Sequence, residues 1–127
     1  MNKIFFWLIL TSAVVASVVA LYPRDAAQGQ LDEFAKCLAT KEITMYGAEW
    51  CSHCQNEKRA FGDSFRYVPY IECPKNPREC IAKGIEGNPT WIFPASPAGG
   101  PGGQKFVGEQ GIEKLSVESG CPFPKEE

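Results

Sequence analysis

The sequence Tyr-Gly-Ala-Glu-Trp-Cys-Ser-His-Cys, residues 46–54, places two cysteines about one helical turn apart, directly after a run of strand-forming residues. Two cysteines with this spacing at the start of a helix can close a small, reversible disulfide. Cys51 would lie at the positive end of the helix dipole, where a thiolate is favoured, and Cys54 would lie one turn further in and more buried. The pattern therefore predicts Cys51 as the attacking nucleophile and Cys54 as the resolving thiol.

His53 is the only histidine of the chain, and it stands between these two cysteines. Its imidazole can hydrogen-bond to or charge-pair with a thiolate at Cys51. A stabilised thiolate is a good leaving group, which makes the disulfide form more oxidising. We therefore predict His53 as a third catalytic residue, with a solvent-exposed loop histidine as the alternative interpretation.

A CxxC pair also occurs in zinc sites and in structural disulfides. A zinc ion needs about four ligands, which usually come from two such pairs. Here Cys73 and Cys80 have six residues between them, and His53 lies inside the first pair, where it could hardly bind the same ion. The spacing therefore predicts no metal site, and we expect no other cofactor.

The residues around this segment alternate between helical and strand patterns. Apolar residues recur at helical spacing from Leu31 to Leu38, and strand formers occupy residues 42–47. The elements predicted after Cys51 are a helix that continues to Phe65, a strand Tyr67–Cys73, a short helix Asn76–Lys83, strands Thr90–Phe93 and Gln104–Gly108, and a last helix closed by Gly120. Pro69 suits an edge strand, and the Pro/Gly-rich residues 94–103 suit a hairpin loop. This order predicts an α/β fold, with a mixed sheet of about four strands and helices on both faces.

The first 22 residues are predicted to form a hydrophobic N-terminal helix. Residues 4–22 carry no charge, and Lys3 precedes them. A run of this length fits a removed signal peptide or an uncleaved membrane anchor, and both interpretations stay open. Residues 23–30 are then a linker, and residues 31–127 are the folded domain.

Composition and charge also indicate the cellular location of the domain. Six cysteines in 127 residues are typical of oxidising compartments, and Lys3 should stay on the cytoplasmic side of the membrane. We therefore expect an extracytoplasmic domain, in a periplasm or a lumen, that the N-terminal segment exports or anchors. A net charge of −2 offers no field to attract nucleic acid, so we expect no nucleic-acid partner.

A second motif, Gly-Asn-Pro-Thr-Trp at residues 87–91, stands directly before a predicted strand. Together with residues 46–54 it resembles the thioredoxin superfamily. That resemblance implies a thioredoxin-like fold in which Pro89 follows a cis peptide bond and faces the cysteines. It also implies that the backbone of Asn88 pairs with an extended substrate peptide and that Trp50 contributes to substrate binding. An ordinary trans turn proline is the alternative.

Residues 34–121 are most similar to the thioredoxin-like domain fused to bacterial homologues of vitamin K epoxide reductase. The matching motifs are Phe34-Ala35-x-Cys37, the segment 46–54, Phe61-Gly62, Glu72-Cys73, Cys80, Gly84-Ile85-x-Gly87-x-Pro89-Thr90-Trp91 and Ser119-Gly120-Cys121. In that family a four-helix membrane domain passes electrons to quinone, and the thioredoxin-like domain carries disulfides to secreted proteins. The resemblance implies a membrane partner of this type, acting on the chain in trans.

Two positions depart from the wider superfamily. Met45 stands where many thioredoxins have a buried acid that assists proton transfer from the resolving cysteine, and a methionine cannot do this. Glu49, or water near the site, could substitute. Ser52 stands where relatives often have proline or glycine, which leaves the reduction potential open.

The other cysteines, which are Cys37, Cys73, Cys80 and Cys121, allow three pairings. We favour Cys73 with Cys80 and Cys37 with Cys121, both as structural disulfides. The second bridge would close a loop of about 85 residues and could stabilise the domain by about 4 kcal/mol in the chain-entropy account. A second redox relay is the alternative role for these cysteines.

The predicted function is a thiol–disulfide oxidoreductase that donates disulfides to exported cysteine-containing proteins. A quinone-linked membrane thiol oxidase of the vitamin K epoxide reductase type would then re-oxidise it. Since exchange is chemically symmetric, a reductase or isomerase supplied by a transmembrane thiol reductant is one alternative. The other alternative is a non-catalytic binding module whose disulfides only hold the fold.

Overall fold

The computed structural model describes residues 31–94 and 103–123, together with Gly29. The predicted signal peptide or anchor at residues 1–22, the linker apart from Gly29, and residues 95–102 of the predicted loop lie outside the described residues. Predictions for those segments stay predictions. None of the helices in the described part is long and apolar enough to cross a membrane.

Four strands form one sheet in the order β2-β1-β3-β4. The strands are β1 (Thr44–Gly47), β2 (Tyr70–Glu72), β3 (Thr90–Phe93) and β4 (Gln104–Val107). β1 is parallel to β2, whereas β3 is antiparallel to both of its neighbours, β1 and β4. The predicted mixed four-stranded sheet is therefore confirmed, and its two central strands adjoin the two sequence motifs.

Helices alternate with these strands. They are α1 (Asp32–Thr40), α2 (Ser52–Phe61), a 3₁₀ helix (Gly62–Tyr67), α3 (Pro77–Ala82) and α4 (Gly111–Ser119). Successive strand residues point to opposite faces of the sheet, so the sheet has two apolar layers. Met45, Trp91 and Phe93 belong to the larger layer, which includes buried residues of α1, α2 and α4. Tyr46 and Ile92 belong to the smaller layer, with Cys80 of α3. Helices on both faces, as predicted, complete a thioredoxin-like α/β fold.

The helix after the cysteine pair is shorter than predicted. It ends at Phe61, and a 3₁₀ helix continues the chain to Tyr67. The cause is Gly62, whose φ of 56° lies in the left-handed region that breaks α-helical geometry. Phe65 thus belongs to the 3₁₀ helix, where its ring meets the ring of Phe61 edge to face at 5.9 Å.

Two predicted strands are also too long. β1 begins at Thr44, because Glu42 has a φ of 57° within the turn after α1. β2 begins at Tyr70, directly after Pro69, which has no N–H for the sheet. Pro69 still contributes its carbonyl, which accepts a hydrogen bond of 2.9 Å from the N–H of Met45. β2 is an edge strand, as Pro69 predicted.

Two disulfides join helices to other elements of the domain, in the pairing that the sequence favoured. Cys37 of α1 is joined to Cys121, just beyond α4, across a sequence separation of 84. Cys73, at the end of β2, is joined to Cys80 of α3 across a separation of 7. The first bridge therefore ties the two ends of the described domain together, and the second ties α3 to the edge of the sheet.

Candidate active site

The start of α2 positions the two remaining cysteines. Cys51 is the N-cap residue, with extended backbone angles, and its sulfur accepts a hydrogen bond of 3.4 Å from the N–H of Cys54. An N-cap side chain satisfies one of the free N–H groups of the first helical turn, and negative charge there interacts favourably with the helix dipole. The sulfur of Cys51 is therefore held at the start of the first turn of α2, where the sequence predicted it.

The two sulfurs differ in access to solvent. Cys51 is 8% exposed, and Cys54 is fully buried. Both are free thiols in this structure. An attacking molecule can reach only the first sulfur without opening the domain, and this asymmetry fits the predicted division into a nucleophile and a resolving thiol.

The loop before β3 contacts Cys51. The thiol of Cys51 donates a hydrogen bond of 3.5 Å to the carbonyl of Asn88, and the Asn88–Pro89 peptide bond is cis. Trp50 lies beside the cysteine in sequence and is 77% exposed. Asn88 is thus in direct contact with Cys51, Pro89 adjoins that contact, and Trp50 offers a large apolar side chain to solvent.

His53 interacts with a residue that the sequence did not single out. Its Nδ1 lies 2.7 Å from Oε1 of Glu109, and the amide of Asn56 donates to the same oxygen at 2.6 Å. The hydrogen bond with His53, and to a smaller extent the one from Asn56, lowers the pKa of the Glu109 carboxyl. Glu109 lies between β4 and α4, so only the folded chain brings it to α2. The predicted contact between His53 and Cys51 stays a prediction.

The buried sulfur of Cys54 lies against the end of β1. Burial raises the pKa of the Cys54 thiol from 9.0 to about 12. A Cβ placed on Gly47 would stand 2.9 Å from this sulfur and 3.2 Å from the ring of Tyr70. A side chain at position 47 would therefore force the sulfur of Cys54 to shift and would press against the ring of Tyr70.

The ring of Tyr70 belongs to a set of polar groups on and beside the edge strand β2. The hydroxyl of Tyr70 donates a hydrogen bond to Oε2 of Glu72, and Oε1 of Glu72 accepts one of 2.8 Å from the N–H of Glu49. Nζ of Lys58 stands 3.8 Å from the centre of the Tyr70 ring. From the sequence, Glu49 was predicted only as a possible substitute for the missing acid, and no site role was predicted for Tyr70, Glu72 or Lys58.

A buried acid lies on α2 rather than at position 45. Met45 is fully buried in β1, and Glu57 of α2 is 2% exposed. The two oxygens of Glu57 accept hydrogen bonds of 2.7 Å and 2.8 Å from the N–H groups of Gln110 and Gly111. Glu57 therefore holds the start of α4 against α2. Within residues 31–94 and 103–123, no three metal-binding side chains lie close enough together to hold an ion.

Comparisons with known proteins agree with this chemistry. No family model matches the chain. The chain is 40% identical over 68 residues to the thiol-disulfide oxidoreductase LTO1 of Arabidopsis thaliana, a match that covers 46% of this chain and 18% of that protein. The chain thus matches less than a fifth of the length of this relative. The match supports a thioredoxin-like redox domain and an oxidoreductase that works through a cysteine pair.

Proposed function

We propose that the chain is a thiol–disulfide oxidoreductase that donates the Cys51–Cys54 disulfide to client proteins. The observation that carries the proposal is the geometry of α2, where Cys51 is the N-cap and Cys54 lies fully buried one turn behind it. A leaving thiolate at a helix N-cap, where the helix dipole favours negative charge, makes a disulfide easier to reduce, and therefore a better oxidant.

The reaction would run in two exchanges. A client thiolate attacks the sulfur of Cys51, the bond between Cys51 and Cys54 breaks, and the sulfur of Cys54 leaves with the electron pair and takes up a proton. A second client thiolate then attacks the client sulfur of the mixed disulfide, and Cys51 leaves as a thiolate. The client has lost two electrons and gained a disulfide, and the cysteine pair is reduced.

The residues around Cys51 would hold the client. The carbonyl of Asn88 accepts a hydrogen bond from the Cys51 thiol, so a client backbone that pairs with Asn88 as an extended strand would lie next to the nucleophile. Trp50 is 77% exposed beside the nucleophile and would cover apolar client side chains. Since backbone and general apolar contacts carry little sequence information, this arrangement suits a broad set of clients.

Re-oxidation would need a partner, and we propose a quinone-linked membrane thiol oxidase of the vitamin K epoxide reductase type. The support is the resemblance of residues 34–121 to domains fused to such enzymes. We further propose that the domain works outside the cytoplasm, exported or anchored by residues 1–22, on exported cysteine-containing proteins. Two structural disulfides in so small a domain are typical of oxidising compartments and support this location.

The test is to trap the mixed disulfide. A Cys54→Ala variant is loaded at Cys51 with thionitrobenzoate and mixed with a reduced peptide that has one cysteine. We expect a covalent complex that persists, because no resolving thiol remains. The matched control is Cys51→Ala, which should form no complex since Cys54 is buried. Failure of the Cys54→Ala variant to form any complex would contradict the proposal.

A further inference from the structure

Cys54 has to exchange a proton at a site from which water is largely excluded. Its sulfur is fully buried, and burial holds it in the protonated form at neutral pH. When the disulfide opens, this sulfur must gain a proton, and when the disulfide forms again, it must lose one. The residue that does this in many relatives is absent here, because Met45 occupies its position.

The nearby buried acid does not offer a free oxygen for this task. Both oxygens of Glu57 are committed to the N–H groups of Gln110 and Gly111 at 2.7 Å and 2.8 Å. Moving a proton onto Glu57 would weaken the bonds that hold α4 against α2. Another group must therefore serve Cys54.

The edge strand β2 offers one. The hydroxyl of Tyr70 and the sulfur of Cys54 both lie close to the point where a Cβ on Gly47 would stand, at 3.4 Å and 2.9 Å from it. A proton can pass between the two atoms with at most one water molecule in between. The hydroxyl of Tyr70 in turn donates to Glu72, which is only partly buried and accepts a second bond from the N–H of Glu49.

The charges around this path favour the ionised forms of the groups at its two ends, Cys54 and Glu72. The charged and titratable groups that face Cys54 and Tyr70 are Cys51 at the N-cap of α2, Lys58 on α2, Glu49 in the preceding loop and Glu72 on β2. Lys58, with Nζ 3.8 Å from the centre of the Tyr70 ring, favours the thiolate of Cys54 and the carboxylate of Glu72. The hydrogen bond from Tyr70 helps to lower the pKa of Glu72, although burial opposes that effect. Glu72 is thus an ionised acceptor at neutral pH.

We propose that Tyr70 and Glu72 form the proton path of Cys54, with Lys58 stabilising the thiolate. This inference rests on the proposed exchange function and adds residues to it. As Cys54 attacks the mixed disulfide at Cys51, its proton passes to the oxygen of Tyr70, and the proton of Tyr70 passes to Glu72 and then to solvent. The new bond joins Cys54 to Cys51, and the client leaves as a thiolate. In the opposite direction, the same path returns a proton to Cys54.

The test separates the two steps of the cysteine pair in time. The full chain is reduced mildly, so that the two structural disulfides stay intact, and is mixed with excess dithionitrobenzoate in a stopped-flow instrument. A first phase, dependent on reagent concentration, reports attack by Cys51. A second phase, independent of that concentration, reports attack by Cys54 on the mixed disulfide and releases a second thionitrobenzoate.

We expect Tyr70→Phe and Glu72→Gln each to slow the second phase at pH 7 by about tenfold or more. A tenfold loss is smaller than the rate enhancement that a general base usually provides. The first phase should change less than twofold. The deficit should shrink at alkaline pH, where hydroxide accepts the proton instead. The phenylalanine keeps the ring under Lys58 and against Phe65, so packing is preserved.

The matched control is Tyr67→Phe, which also removes a hydroxyl from a ring that a cation contacts, in this case Lys36 at 4.9 Å. It should leave both phases unchanged. If the second phase and its pH profile were the same in Tyr70→Phe, Glu72→Gln and the wild type, the proton path would be overturned. If the wild type showed no first phase, the exchange function itself would be overturned instead.

Discussion

Two kinds of cysteine pair occupy this small domain, and burial does not distinguish them. Cys51 is 8% exposed, while Cys80 and Cys121 of the two disulfides are 6% and 2% exposed. What differs is position. Cys51 caps the first turn of α2 and contacts the carbonyl of Asn88, whereas each disulfide joins a residue within a helix to a residue just past the end of another element. Helix position and neighbouring polar groups, rather than depth, therefore distinguish Cys51 from the disulfide cysteines.

The largest effect should come from removing the reactive pair. Cys51→Ala should abolish oxidation of a reduced dithiol peptide, because Cys54 is fully buried and cannot take over the exchange. The double variant Cys73→Ala/Cys80→Ala should keep most of the rate. The activities of both variants are measured as initial rates of peptide oxidation by the oxidised protein. A complete loss of the oxidation rate in the double variant would instead make Cys73–Cys80 part of a redox relay.

The disulfides should instead carry stability. Removing Cys37–Cys121, with a separation of 84, should lower the free energy of unfolding by about 4 kcal/mol. Removing Cys73–Cys80, with a separation of 7, should lower it by about 2 kcal/mol, because a shorter loop restricts the unfolded chain less. Urea unfolding of the two double alanine variants measures both values. Equal losses would show that loop length is not the cause.

A glycine next to the reactive pair provides a smaller test. Gly47→Ala should cost about 1–3 kcal/mol of stability, since the new methyl overlaps the sulfur of Cys54 and the ring of Tyr70. The matched control is Gly87→Ala, where the Cβ would approach the methyl of Val107 equally closely, at 2.9 Å. Val107 is 62% exposed and can move aside, so this variant should lose less. The reverse order would contradict the close packing described at Cys54.

Alkaline pH should destabilise the reduced protein through Cys54. The folded state raises the pKa of this thiol from 9.0 to about 12, mainly by burial. Below the lower value both states hold the proton, and between the two values only the folded state does. Unfolding then releases a proton, so the free energy of unfolding falls with rising pH by at most about 1.4 kcal/mol per pH unit. Reduced Cys54→Ala, measured by urea unfolding at the same pH values, should show a shallower decline.

The smallest effect should come from Glu109. Glu109→Gln removes a negative charge beside His53, which should favour the thiolate of Cys51 and make the disulfide more oxidising. A surface pair is worth at most about 1 kcal/mol, so the reduction potential should rise by no more than about 20 mV. Glu118→Gln, an exposed change at the end of α4, is the charge control. A fall in potential, or an equal rise in the control, would contradict a specific role for Glu109.

The sequence predicted the fold because its signals are local. Hydrophobic periodicity and strand formers indicated the elements, and Pro69 indicated an edge strand. The ends of elements were harder to predict, since the positive φ angles at Glu42 and Gly62 depend on how the chain turns. A periodic pattern indicates which residues face the core, but it does not show where a helix stops.

The active site was predictable only in part, for a related reason. Cys51, Cys54 and Pro89 belong to short motifs, so the sequence alone identified them. Glu109 is 56 residues from His53, and Tyr70 reads as an ordinary strand former. Only the pairing of β1 with β2, which places Tyr70 opposite Met45, brings that ring towards Cys54. Residues that act through tertiary contact leave no local pattern.

The most direct test of the proposed disulfide donor is the reduction potential of the Cys51–Cys54 couple. The full chain in mild detergent is equilibrated with glutathione buffers, and mass spectrometry counts the alkylated thiols. We predict a value of about −120 to −200 mV, in the range of known disulfide donors. A value near about −270 mV, that of thioredoxin, would contradict the account and assign the chain to reduction or isomerisation.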